Sequence, residues 1–246
     1  MLWVWVVWAL GLTIATVVGT LLVRHSRDRY GLPALVSMYI AYLMTANVIA
    51  SRISEFHIVI VMILPGGVIT YPFVAQAIDM INEIYGRRTA YVAILLAFTA
   101  NVILTLFVLM LATVPPVPWL ADMDEAWRFF FLQTPRIIIA SYIAFLTAEL
   151  LDATIFSEIK RRLYRYEVTV KSITVGALAR SLSTDVVNMV VDTIVFYPLA
   201  FYGVVPTEAL IPMIIYGSLT KALITALDTP WFIAFRLLTR NVKRDF

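Results

Sequence analysis

Long apolar runs occupy nearly all of this chain and leave only short polar connections between them. The runs lie at about residues 2–23, 33–51, 57–83, 89–113, 136–157, 172–203 and 208–236. Each is close to or longer than the roughly 20 residues that an α-helix needs to cross the hydrocarbon core of a bilayer. The sequence therefore predicts an all-α, polytopic integral membrane helix bundle of six or seven transmembrane helices.

The composition agrees with a chain that lies almost entirely in a bilayer. Of the 246 residues, 61% are hydrophobic and 14% are charged, whereas soluble domains have about 45–50% apolar and about 25% charged residues. We interpret residues 1–246 as a single transmembrane domain, in which residues 2–23 are a candidate additional N-terminal helix. Cysteine is absent and histidine occurs only twice, so we expect neither a metal centre nor a cofactor.

Basic residues are concentrated in alternate connections between the runs. They follow the first, third, fifth and last runs, beginning with Arg24, Arg87 and Lys160, while the other connections hold few. The positive-inside rule then places the N-terminus outside and the C-terminus in the cytoplasm. Topology thus accounts for the net charge of +3, and we expect no nucleic-acid partner.

The third run contains residues that interrupt an α-helix. Pro65-Gly66-Gly67 follows an apolar stretch, and Tyr71-Pro72 comes a few residues later. Helices broken at membrane depth are tolerated only where the freed backbone groups meet protein or a water-filled cavity. The sequence therefore predicts a transmembrane helix broken at Pro65-Gly66-Gly67, and this segment is the best single indication of a binding site.

Acidic and amide side chains also lie inside the runs. A charge near the centre of a lipid-facing helix costs about 2.5–3.5 kcal/mol, so these groups must face one another, water or a ligand. The candidate substrate-binding residues are Asn47, Gln76, Asp79, Glu83, Glu149, Asp152, Asp185, Asn188 and Asp192, with Arg180 and Lys221 as candidate counter-charge or gating residues. Because acids outnumber bases in this set, proton coupling is a further hypothesis.

Spacing places the acids on shared helix faces. Asp79 and Glu83 are four residues apart, and Glu149 and Asp152 are three apart, so each pair lies on one face. Positions 185, 188 and 192 share a third face. Converging faces would form one cavity rich in hydrogen-bond acceptors. The alternatives are buried ion pairs that hold helices in register, or acids close enough to the membrane surface to be hydrated.

Individual residues have second interpretations too. Glu83 lies near the cytoplasmic end of its run, where the hydrated alternative is as good as the functional one. Asn47 and Asn188 suit bridges between helices at least as well as ligand contacts. Asp228 precedes Thr229-Pro230, where helix capping or a kink explains it as well as function does.

Two kinds of ligand suit an acceptor-rich cavity. Carboxylates accept hydrogen bonds from paired N–H donors, the pattern on the N1–H and 2-amino edge of guanine-like bases, and amide side chains can serve a carbonyl edge. Clustered acids also suit a hard metal cation. The residue types alone do not separate the two.

Four strings along the chain resemble one known family. Residues 79–88 read DMINEIYGRR and resemble the D-x-x-x-E-x-Y-G-[KR] signature of the queuosine precursor transporter family, also called the vitamin uptake transporter family. The other strings are AELLDATIF at residues 148–156, VDTIVF at 191–196 running to AFYG at 200–203, and Lys221 followed by Thr229-Pro230. The resemblance covers about residues 35–238.

The resemblance implies a secondary membrane transporter that imports a queuosine or archaeosine precursor, 7-cyano-7-deazaguanine or a related 7-deazaguanine base. Its partners would be that purine-like base and the lipid bilayer of the cell membrane. A homodimer is a further possibility that the sequence does not decide. The family is usually described with six spans, so either the first run is extra or the third is re-entrant. The alternative is a substrate-capturing subunit of an ATP-driven vitamin or micronutrient importer. An intramembrane aspartyl hydrolase is disfavoured because no Gly-x-Gly-Asp string occurs, and we expect no enzyme.

Overall fold

The computed structural model describes residues 2–57, 61–148, 151 and 189–243. The helices and strands, in chain order, are α1 (Leu2–His25), α2 (Leu32–Ile49), β1 (Ile53–His57), β2 (Val61–Pro65), α3 (Tyr71–Ala112), α4 (Ala121–Phe131), α5 (residues 133–148), α6 (Met189–Phe201) and α7 (Thr207–Leu238). Short π- or 3₁₀-helical turns at Arg27–Gly31, Gly66–Thr70 and Pro118–Leu120 precede α2, α3 and α4.

The described helices have the lengths and composition of membrane spans. Five helical stretches of 23 to 47 residues are long and apolar enough to cross a bilayer, and Met189–Phe201 is a shorter apolar helix. This confirms the predicted all-α, polytopic membrane architecture. The chain forms two compact units, which we describe separately: residues 1–135 with 223–246, and residues 136–222.

Gly86 reverses the direction of α3. A straight α-helix of 42 residues would be about 63 Å long and would hold its ends far apart. On α2, however, Asn47 bonds Asn101 of α3 at 2.9 Å, while the adjacent Ala46 carbonyl contacts Gly67, just before α3 begins. Both ends of α3 therefore return to the same part of α2. Gly86, with φ 78° and ψ 169°, is the turning point between two arms, residues 71–85 and 87–112.

These arms correspond to the third and fourth predicted runs, which sequence analysis separated at residues 84–88. The backbone of Gly86 lies in a region that residues with a β-carbon almost never adopt. Glycine at this position is what allows a helical hairpin to close over a single residue.

Residues 53–65 differ from the predicted broken helix. Strands β1 and β2 pair in antiparallel register from Ile53 opposite Pro65 to His57 opposite Val61. The short apolar stretch before Pro65 is rich in Val and Ile, which favour strands, and a run this short does not distinguish a strand from a helix. Pro65 thus ends a strand rather than breaking a helix, and Tyr71-Pro72 begins α3.

The core of the first unit lies between α1, α2, both arms of α3 and the C-terminal part of α7. Its fully buried side chains include Val23, Leu35, Met80, Ile84 and Phe235. At the other end of α1, the Trp8 indole donates a hydrogen bond to the Ile69 carbonyl at 3.0 Å. The Trp8 ring also packs edge-on against Phe73 and Trp231. These contacts fix the position of α1 beside α3.

The second unit contains α5, α6 and the start of α7. Arg136, at the start of α5, donates to the carbonyls of Leu199 and Tyr202 at 2.7 Å each, so it caps the C-terminal end of α6. Phe196, Tyr197 and Phe201 form mutual edge-to-face ring contacts along α6.

Candidate functional site

The structure describes six of the eleven candidate residues. Asn47, Gln76, Asp79 and Glu83 lie in the first unit. Asp192 and Lys221 lie in the second. The other candidates, Glu149, Asp152, Arg180, Asp185 and Asn188, lie outside the described residues.

Asp79 and Asp228 carry two carboxyl groups of the first unit on different helices. Asp79 is exposed on the first arm of α3, and Asp228 on α7 is only 8% exposed. The two groups lie within electrostatic range of each other. Both carboxylates can accept hydrogen bonds from N–H donors.

Asp228 is the acid whose sequence interpretation changes most. From the sequence, helix capping or a kink beside Thr229-Pro230 explained the position of Asp228 as well as a functional role did. The residue lies inside the continuous helix Thr207–Leu238, far from its start, so it is not an N-cap. Among the described residues, no Lys or Arg forms a salt bridge with Asp228. The sequence did contain one indication of a functional role for Asp228, which is its position deep inside an apolar run.

Glu83 has a basic partner. The Arg236 Nε donates to Glu83 Oε1 at 2.9 Å. Arg236 is about half exposed and Glu83 is mostly buried, so this ion pair joins α3 and α7 near the surface of the first unit. Arg236 belongs to the basic residues at the end of the last run, which the positive-inside rule explained by topology alone, and its pairing with Glu83 was not predicted.

Asn47 and Gln76 form bridges between helices. Asn47 Nδ2 donates to Asn101 Oδ1 at 2.9 Å, and Asn101 donates in turn to the Ala97 carbonyl. Gln76 Nε2 donates to the Thr16 hydroxyl at 3.0 Å. These contacts favour the bridging interpretation of Asn47, and they show that Gln76 also joins two helices. Sequence analysis did not name Asn101, although a single amide inside an apolar run is a recognisable signal.

The second unit contains a buried ion pair. Lys221 Nζ donates to Asp192 Oδ2 at 2.5 Å, with side-chain exposures of 8% and 24%. A lysine buried in an apolar helix is tolerated when an acid neutralises it. Lys221 is therefore a counter-charge for Asp192, which links α7 to α6.

Tyr197 lies near this pair on α6. The residue is fully buried, and among the described residues its hydroxyl has no hydrogen-bond partner. A β-carbon on Gly217 of α7 would clash with that hydroxyl. Gly217 thus allows α6 and α7 to approach closely one turn before Lys221.

These features define a class of protein. Charged groups inside membrane-spanning helices are costly and are found where they pair with one another or line a path for substrate or ions. Within the described ranges, no three His, Cys, Asp or Glu side chains cluster as metal ligands. A multi-pass helical membrane protein with paired acids and a buried ion pair has the architecture of a transporter.

A protein-family model matches residues 65–235 of this 246-residue chain. The matching model is described as "Putative vitamin uptake transporter", and the chain belongs to this family. The match includes the strings at residues 79–88, 148–156 and 191–203, so it confirms the resemblance predicted from the sequence. Since the family consists of transporters, the chain is a multi-pass membrane transporter and not an enzyme.

Two relatives carry the name "Probable queuosine precursor transporter". The protein from Bacillus subtilis (strain 168) is 27% identical over 180 residues, which are 73% of this chain and 74% of the relative. The protein from Haemophilus influenzae is 26% identical over 136 residues, which are 55% of this chain and 51% of the relative. No solved structure matches the chain significantly.

Proposed function

We propose that this chain is a secondary transporter that imports a queuosine precursor of the 7-deazaguanine class, such as 7-cyano-7-deazaguanine. The names of the two relatives support the substrate class. The observation that carries the proposal is the buried carboxyl of Asp228 on α7, which lies within electrostatic range of Asp79 on the first arm of α3. Such a pair can accept the N1–H and 2-amino protons of a guanine-like base.

Binding would also relieve the cost of the pair. Two carboxylates that face each other repel, and a buried one loses hydration as well. A base that donates N–H groups to both offsets these costs without bringing a full positive charge.

The remaining candidates take supporting roles in this proposal. Lys221, paired with Asp192, is a candidate gating residue, and the Glu83–Arg236 ion pair is a second candidate within the first unit. Asn47 and Gln76 hold the helices of the first unit together. Glu149, Asp152, Asp185 and Asn188 stay candidate substrate-binding residues and Arg180 a candidate counter-charge, and an acid left unpaired in one state would provide for proton coupling.

Uptake by purified protein in liposomes tests the proposal. We expect the wild-type chain alone to accumulate radiolabelled 7-cyano-7-deazaguanine, and we expect Asp79→Asn and Asp228→Asn to reduce uptake at least tenfold. Glu55→Gln, an exposed acid on β1, is the matched control and should transport normally. Uptake that required added ATPase and coupling subunits would favour the substrate-capturing subunit instead.

A thermal-shift panel separates the two ligand classes. Purified protein should be stabilised by 7-deazaguanines and guanine, and Asp79→Asn should lose that stabilisation. Stabilisation by divalent metals alone would overturn the base-transporter proposal. Dissipating the proton gradient during uptake tests coupling separately, because facilitated entry would continue without it.

A further inference from the structure

The connection between α3 and α5 contains a helix that is too short to span a membrane. Helix α4, Ala121–Phe131, has 11 residues and is about 16 Å long, whereas the hydrocarbon core is about 30 Å thick. In the helical stretch Pro118–Ala148, which is long and apolar enough to cross a membrane, four of the five charged residues lie in α4, so α4 is the part of this stretch that lies at or near a membrane surface. The question is which way α4 faces there.

The sequence of α4 is divided between an apolar and a charged face. At 3.6 residues per turn, Met123, Trp127 and Phe130 fall within an arc of about 60°. The charged residues Asp122, Asp124, Glu125 and Arg128 all lie about 90° or more from the centre of this arc. A helix divided in this way is typical of one that lies in the plane of the interface, with its apolar face among the lipid chains.

The apolar face is only partly covered by the described part of the protein, with Trp127 of intermediate exposure. Met123 is 66% exposed and Phe130 is 41% exposed, and Trp119 in the turn before the helix is 80% exposed. Trp127 stacks on Phe131 at a centroid distance of 5.0 Å, so these two rings form a continuous aromatic surface. Tryptophan and other aromatic side chains of this kind concentrate at the membrane–water boundary.

Arg128 fixes the orientation of α4. Its Nη2 donates to the carbonyl of Ala112 at 2.7 Å, and its Nε donates to Asp124 Oδ2 at 2.5 Å. Ala112 is the last residue of α3, where a helix leaves carbonyl groups without partners in the helix. The charged face of α4 is thereby tied to the end of α3, and the apolar face is turned away from that contact.

The exposed surface of α4 continues an apolar surface on α3. In the last turns of α3, Leu106, Phe107 and Met110 are exposed on a helix that spans the membrane, so they face lipid. These side chains show that the span before α4 presents an apolar surface to lipid.

We propose that α4 is an interfacial membrane anchor. Its apolar face, Met123, Trp127 and Phe130, inserts at the boundary between lipid headgroups and acyl chains, with Trp119 beside it. The charged face carries Asp122, Asp124 and Glu125 against a single Arg128, so it repels anionic headgroups. The occupant of this surface is therefore a zwitterionic lipid leaflet.

The absence of cysteine from the chain permits a direct test. Single variants Met123→Cys and Phe130→Cys place a nitroxide spin label on the apolar face. The matched controls Asp122→Cys and Glu125→Cys place it on neighbouring positions of the charged side. Each full-length labelled protein is reconstituted in zwitterionic nanodiscs, and its accessibility to oxygen and to a water-soluble nickel chelate is measured by power saturation.

We expect the labels at positions 123 and 130 to be several times more accessible to oxygen than to the nickel chelate. The labels at positions 122 and 125 should show the reverse. Equal chelate accessibility on both faces would overturn the proposal. So would labels at 123 and 130 that are shielded from both reagents and show dipolar broadening between copies, because a second copy of the chain would then cover the face.

A second measurement uses lipid composition. Replacing about a third of the zwitterionic lipid by anionic lipid should make the labels at 123 and 130 shallower, because the acidic face is repelled. Deeper insertion in anionic nanodiscs would contradict the proposed lipid preference. Each variant is first checked for a monodisperse, helical preparation, so that a misfolded protein is not scored.

Discussion

Lys221 on α7 donates a hydrogen bond to Asp192 on α6 at 2.5 Å, and both side chains are largely buried. Each charge is tolerated in its apolar surroundings because the other is present. Substitutions at the two positions can therefore distinguish the contribution of the ion pair to stability from its contribution to transport.

Replacing Lys221 by Met should destabilise the protein by about 3 kcal/mol, near the lower end for breaking a buried pair because Asp192 is partly exposed. Thermal unfolding in detergent measures this. The double variant Lys221→Met with Asp192→Asn should regain most of the stability, since no buried charge is left unpaired. If the pair gates transport, the double variant stays inactive although stable. Transport by the double variant at the wild-type rate would refute gating.

Gly86→Ala should destabilise the protein by about 1–3 kcal/mol, because alanine cannot adopt the backbone conformation of Gly86 without strain. Unfolding temperature reports the change. The control is Asn82→Ala, one turn earlier at an exposed, regular helical position, where we expect almost no effect. Equal behaviour of the two variants would mean that the reversal of α3 does not depend on glycine.

Asn101→Leu should cost about 1 kcal/mol, because it removes the acceptor of the buried Asn47 amide. Combining it with Asn47→Leu should cost less than the sum of the single changes, and a double-mutant cycle of unfolding free energies measures this coupling. Transport adds a second readout. Loss of uptake in Asn47→Leu but not in Asn101→Leu would show that Asn47 contacts substrate as well as Asn101.

Glu83→Gln should change stability by less than about 1 kcal/mol, since Arg236 is half exposed and solvent screens the pair. That small loss should disappear at high salt. Restoration of uptake by the swapped pair Glu83→Arg with Arg236→Glu would support a gating role. Transport would then require the ion pair and not a carboxylate at position 83. Failure of the swap in a folded protein would indicate direct contact with substrate.

The predicted orientation can be tested with the same single-cysteine approach. If the N-terminus is outside, Glu125→Cys should react in intact cells with a maleimide that does not cross membranes. Arg88→Cys should react only after the membrane is permeabilised. The opposite pattern would reverse the predicted topology.

The helices could be predicted from sequence because a long apolar run can satisfy its backbone hydrogen bonds in a membrane almost only as an α-helix. The boundary near residue 86 was visible in Tyr85-Gly86-Arg87. The hairpin of β1 and β2 was missed because a short Val- and Ile-rich stretch inside a membrane protein resembles part of a helix. Its partner strand begins at Ile53, in what was taken as a connection. Pairing between such segments is a tertiary property.

The candidate site was predictable in its residue types but not in its pairings. Asp79 and Lys221 were identified because charges are costly in lipid. Asp228 was given a local explanation, since Thr229-Pro230 follows it directly, and only the continuity of α7 removes the capping explanation. Which base neutralises which acid depends on how helices distant in sequence pack, as Arg236 with Glu83 and Lys221 with Asp192 illustrate.

The single-residue turn at Gly86 leaves α3 without slack. The turn is also held from the Arg27–Gly31 turn that precedes α2, because Tyr85 donates its hydroxyl proton to the Arg27 carbonyl at 2.6 Å and Arg27 donates to the Ile84 carbonyl. With no loop to lengthen or shorten, the two arms cannot slide past each other, and they can move only as one rigid piece. Any rearrangement that carries a substrate past Asp79 must therefore tilt the whole hairpin or be carried out by the helices that face it.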